Sequence, residues 1–86
     1  MFDSAARYRL DPQVALRPEP FGALAYHYGS RRLTFLRSKL LAQVVGELDR
    51  HRSVDAALEC SVPEAERPAY LKALESLADS RFIDVC

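Results

Sequence analysis

The side chains with chemical potential are few and far apart. His27 lies between Tyr26 and Tyr28, His51 lies in Asp49-Arg-His-Arg52, and the two thiols, Cys60 and Cys86, are separated by most of a domain half. A general base or a nucleophile works only beside a partner that takes its proton or orients it, and no spacing here supplies one. His27 therefore reads as a surface or partly satisfied histidine, His51 as a residue near a helix C-terminus favoured by the macrodipole, and Cys60 as a small buried apolar group. There is no Gly-rich phosphate loop, no nucleophile motif and no Cys-x-x-Cys pair with zinc or iron–sulfur spacing. The expectation is a chain that is not an enzyme and has no metal or cofactor of its own. What remains is surface for a partner.

Composition sets the frame for that surface. With 86 residues, 49% of them hydrophobic and 28% charged, the chain has room for one core. A single domain over residues 1–86 is expected, with residues 1–7 disordered. Basic and acidic residues balance at 12 and 12, so no overall field draws the protein to a polyanion. The longest apolar run, around Leu40 to Val45, falls far short of the roughly 20 residues that span a bilayer. Residues 1–10 carry Asp3, Arg7 and Arg9 and lack the apolar stretch of a secretion signal. The expected location is the cytoplasm, where a disulfide is not favoured.

The elements follow from pattern. Pro12, Pro18 and Pro20 make the segment up to Phe21 extended, with at most a short edge strand at Gln13 to Arg17. Leu24, Tyr26 and Tyr28 share one face at period two, as do Leu33 and Phe35 after Gly29-Ser30-Arg31-Arg32. With Gly29 able to take positive φ, this predicts a hairpin. Ser38 stands where an N-cap belongs, before Leu40, Leu41, Val44, Val45 and Leu48 at helical spacing, which predicts a helix over 39–50. Ser53 caps a two-turn helix over 54–60. Ser61-Val-Pro-Glu64 has capping-box spacing, but Pro68 bars a continuous helix, so one turn or a loop is expected there. The main helix runs from Pro68 to Asp79, and Arg81 to Val85 is an apolar tail suited to a final extended segment.

Two or three strands followed by three helices give an α+β fold of the winged helix-turn-helix kind. The habitual role of that fold is reading DNA, but Glu64 to Asp79 carries Glu64, Glu66, Glu75 and Asp79 against Arg67 and Lys72. A net acidic helix with Lys72 as its single well-placed base-reading candidate argues against entry into the major groove. A DNA-binding regulator is the alternative reading, and nucleic acid is not an expected partner.

Two features point to peptide instead. The strand Arg32 to Leu36, last of a small sheet, has an edge that can accept an extended peptide by backbone pairing or can equally pair with a second copy as a homodimer. On the last helix the apolar stripe is wider than a one-sided core contact needs. Either the whole stripe is core beneath Phe82-Ile83, or Leu71, Leu74 and Ala78 face the core while Tyr70, Ala73 and Leu77 border a groove.

The runs Arg17-Pro-Glu-Pro-Phe-Gly-Ala-Leu-Ala-Tyr-His-Tyr28, Arg32-Leu-Thr-Phe-Leu36 and Leu74-Glu-Ser-Leu-Ala-Asp-Ser-Arg-Phe-Ile-Asp84 resemble the mycofactocin precursor-binding chaperones. These belong to the recognition elements of ribosomally made peptides and are similar to the small chaperone of pyrroloquinoline quinone biosynthesis. The resemblance covers about residues 8 to 85. It implies a three-stranded antiparallel sheet followed by three helices. The leader of a precursor peptide would bind on Arg32, Leu33, Thr34, Phe35 and Leu36 of the strand and on Tyr70, Ala73 and Leu77 of the helix. It further implies delivery of that peptide to a radical S-adenosylmethionine maturase, whose iron, S-adenosylmethionine and chemistry belong to the enzyme.

Overall fold

The computed structural model describes residues 2–86. The described residues form an α+β fold with antiparallel sheets and three α-helices. β1 (Tyr8–Leu10) pairs with the C-terminal β5 (Ile83–Val85), with Tyr8 opposite Val85 and Leu10 opposite Ile83. The larger sheet has the order β2 (Val14–Glu19), β3 (Gly22–His27), β4 (Arg32–Leu36). α1 (Lys39–Gly46), α2 (Val54–Ser61) and α3 (Arg67–Asp79) follow, with short 3-10 turns at Leu48–Arg50 and Glu64–Glu66. The apolar tail is thus a strand, and it closes on the N-terminal segment.

β2 runs two residues beyond the expected Arg17, through Pro18. Pro18 lies opposite Ala23. The Tyr28 N–H donates to the Gln13 carbonyl at 2.9 Å, so Tyr26 and Leu24 also turn their backbone groups toward β2, while Ala23 turns its own toward β4. Pro18 therefore sits in a non-hydrogen-bonded pair, where its missing donor costs no ladder bond.

The β3–β4 hairpin forms as expected, but on different turn chemistry. The strands stop at His27 and resume at Arg32, and it is Arg31, at φ 60°, that takes the left-handed conformation, not Gly29. The glycine that the backbone demands is Gly22, at φ 155°, where an added Cβ would stand 2.1 Å from the Leu36 carbonyl oxygen. No L side chain fits between those strands at that point.

His27 is buried, not superficial. Its Nδ1 accepts from the Ser30 N–H at 3.1 Å, its Nε2 is 3.9 Å from the Asp11 carboxylate, and its ring meets Phe82 edge-on at 5.8 Å. It is a satisfied polar pin beneath the hairpin turn. Cys60, expected to be buried, is exposed, and neither it nor Cys86 is in a disulfide.

The helices begin where their caps predict. Ser38 Oγ accepts from the Leu41 N–H and Ser53 Oγ from the Ala56 N–H, each at 3.0 Å. The first helix ends early, at Gly46, where a residue of low helix propensity hands the chain to a 3-10 turn. No capping box forms at Ser61, which remains inside α2. Pro68 stands in the first turn of α3, where it sacrifices no bond.

Residues 2–7 lead into β1 and make backbone contacts with α2, Met1 lying outside the described residues. The Ala6 and Ser4 carbonyls accept from the Val54 and Asp55 N–H groups at 3.1 and 3.0 Å. Those are the first donors of α2, which no intrahelical carbonyl can satisfy. The core gathers Leu36, Val45, Leu48, Leu58, Leu74 and Ile83 between the larger sheet and the helices. No helix among the described residues is long and apolar enough to cross a membrane.

Candidate functional site

β4 is the terminal strand of its sheet, and no strand among the described residues pairs with its outer edge. Because Ala23, Ala25 and His27 direct their backbone groups at β4, their partners Leu36, Thr34 and Arg32 use theirs within the ladder. Leu33 and Phe35 consequently hold the free N–H and C=O groups of the edge. A strand added there would find two donor–acceptor pairs spaced as an antiparallel or parallel neighbour requires.

Beside that edge runs α3, and between them lies an open groove of about 580 Å³. Its strand wall is Thr34, Phe35 and Leu36, and its helix wall is Tyr70, Ala73 and Leu77. Leu41 of α1 contributes to the lining, and Arg37 and Ser38 lie where the strand hands over to α1. The surface is mainly apolar. The Tyr70 hydroxyl is 3.2 Å from Ser38 Oγ, so the helix cap and the ring that borders the groove hold each other. Leu74, one position beyond Ala73, is fully buried, which fixes the rotation of α3 and turns the Tyr70, Ala73, Leu77 flank toward β4.

Six of the eight residues singled out in the sequence line this one groove. The other two lie elsewhere. Leu33 projects on the opposite face of the sheet and is exposed, as is Phe35, which shares that face and borders the groove along the strand edge. Arg32 lies at the other end of β4, beside His27, Asp79 and Arg81. The lining also includes Arg37, Ser38, Leu41, Ala69 and Ser76, which the sequence does not single out as site residues. Leu41 looked like an ordinary core position of the first helix, and Ser76 is an unremarkable polar residue on the last one. No signal short of the helix orientation would have found them.

A family model described as the peptide chaperone MftB family matches residues 7–84. The chain is 45% identical over 83 residues to the peptide chaperone MftB of Mycobacterium ulcerans, a span that takes in 95% of this chain and 76% of that protein. It is 42% identical over 83 residues to the proteins of the same name in Mycobacterium tuberculosis and Mycolicibacterium smegmatis, with 95% of this chain and 76% and 81% of those proteins covered. No solved structure matches the chain significantly.

Proposed function

Since the chain belongs to the peptide chaperone MftB family, whose role is non-enzymatic, we propose that it captures the leader of a ribosomally made precursor peptide in the groove between β4 and α3 and delivers it to a radical S-adenosylmethionine maturase. The observation that carries this reading is the coincidence of an unpaired strand edge with an apolar helix flank across about 580 Å³ of open space. The leader adds a strand to β4. Its backbone bonds to Leu33 and Phe35 give affinity without reading sequence. Side chains on one face of that strand enter the groove and meet Thr34, Tyr70, Ala73 and Leu77, which select apolar residues. The three-stranded sheet and the three helices after it act as a winged-helix scaffold used for peptide and not for DNA.

The chaperone does no chemistry in this scheme. Holding the leader raises the local concentration of the attached core peptide at the enzyme. The setting is the cytoplasm, where such a precursor is translated. A homodimer formed through the β4 edge would compete with the leader for the same backbone groups.

Calorimetry against the leader of a mycofactocin precursor tests the reading, with Tyr70→Ala and Phe35→Asp variants first checked for folding by circular dichroism. The expected outcome is saturable one-to-one binding, weakened by about tenfold or more in each variant, as truncation of a central interface residue does. Absence of binding to a soluble leader overturns the assignment. Salt-sensitive binding to duplex DNA in its place would favour the regulator reading.

A further inference from the structure

The lining of the β4–α3 groove holds one charged residue among the described residues, and it is a cation. Thr34, Ser38, Tyr70 and Ser76 are polar and uncharged, Arg37 is charged, and the rest are apolar. The salt bridges among the described residues join Arg17 to Glu19 and His27 to Asp11, so Arg37 has no carboxylate partner there. Nor does its guanidinium donate to a carbonyl, as those of Arg7 and Arg67 do to Asp49 and Val62. Arg37 is exposed and always charged, a planar donor with its hydrogen bonds unspent at one end of the groove.

The two ends of β4 differ in this respect. At the far end, Arg32 and Arg81 share their hollow of about 270 Å³ with Asp79, so the cations there have an acidic neighbour. At the near end no acidic residue shares the lining with Arg37. A peptide laid along β4 therefore meets uncompensated positive charge at one end only.

We propose that Arg37 is a specificity-determining residue that takes up an Asp or Glu carboxylate of the leader, so the peptide selected is an apolar stretch with an acidic residue at its Ser38 end. This rests on the proposed leader capture and names the charge and position that the same site reads. Leu33 and Phe35 hold the free backbone groups of the edge, and Arg37 lies two positions beyond Phe35, roughly 7 Å along an extended chain. The acidic residue accordingly stands within about two residues of the one that pairs with Phe35. A guanidinium fork fits a carboxylate with two parallel hydrogen bonds, and it repels a Lys or Arg at that place. The contact also fixes register. Backbone pairing reads no sequence, and a slip of one residue would turn the apolar side chains out of the groove and carry the carboxylate away from Arg37.

Calorimetry of the full chain against the leader of a mycofactocin precursor tests this. Wild type and Arg37→Gln, the variant first checked for folding by circular dichroism, are each titrated with the leader and with leaders in which one Asp or Glu at a time is replaced by its amide. Arg37→Gln should bind the unaltered leader about three- to tenfold more weakly, the effect of one exposed charge-assisted contact. One amide leader should lose the same factor against wild type and nothing further against Arg37→Gln, the non-additivity of a shared pair. Raised salt should narrow the gap between the two proteins. Equal affinity of wild type and Arg37→Gln for the leader overturns the proposal. So does a loss in Arg37→Gln to which every amide leader adds its own effect in full, because no carboxylate is then the partner of Arg37. A wild type that binds no leader fails the capture reading itself and takes this one with it, a result distinct from a wild type that binds the leader and is indifferent to Arg37.

Discussion

On the helix side of the larger sheet, β3 presents Ala23, Ala25 and His27, all buried, and β4 presents Leu36, buried as well. On the other side the same two strands present Leu24, Tyr26, Leu33 and Phe35, half-buried or exposed. The bulk is distributed opposite to the usual arrangement, in which large apolar side chains face the core and small or polar ones face water. Small residues inside let α1 lie close against β3. Large residues outside contribute little to folding, because water still reaches them. The two faces of one sheet thus divide buried from exposed bulk, and the β4–α3 groove opens on the buried side.

This separation is open to direct disruption from the folding side. Leu36→Ala removes a side chain that is 1% exposed and should cost about 2 to 5 kcal/mol in urea unfolding, the range for a truncated core leucine. For a domain whose whole stability is of order 5 to 15 kcal/mol, that is a large share. A cost near zero would mean that the inner face is not the core. Ala25→Leu probes the same face by addition. Ala25 is 1% exposed, and the extra bulk should cost about 1 to 3 kcal/mol by overpacking. A stabilised Ala25→Leu protein would reveal unfilled space beneath α1 and remove the argument that small residues there are needed for close approach.

Much of this was legible in the sequence. Ser38 and Ser53 announced two helix starts because a side-chain cap is a local interaction, settled within four residues. The period-two sharing of faces by Leu24, Tyr26 and Tyr28, and by Leu33 and Phe35, was legible for the same reason. Which face would be core was not. The intervening residues, Ala23 and Ala25, are apolar too, so the pattern alternates large with small and not apolar with polar, and only the packed helices decide between them. The tail strand's partner, β1, depends on residues more than seventy positions apart, and no local signal carries that. Gly29 is a natural candidate for the turn, yet the left-handed residue is Arg31, next to Ser30, whose N–H donates to His27 Nδ1. The groove was half visible. The helix flank Tyr70, Ala73, Leu77 followed from the width of an apolar stripe, whereas Leu41 and Ser76 needed the angle at which α1 and α3 meet the strand.

The smallest expected effect is the sharpest control on the comparison. Leu33 and Leu36 are the same residue type, three positions apart on one strand, with opposite side-chain directions. Leu33→Ala should change unfolding stability by less than about 0.5 kcal/mol, as for a surface position away from any cap or buried network. Its one definite neighbour is Tyr26, directly across the ladder, and a cross-strand pair of this kind contributes only about 0.2 to 1 kcal/mol. Urea unfolding at two protein concentrations reads the difference. A Leu33→Ala loss that approaches the Leu36→Ala loss, and that grows with concentration, would mean that the outer face is covered by a second copy in solution. A small loss independent of concentration leaves the two leucines divided as the strand divides them, one held for the fold and the other free for a partner.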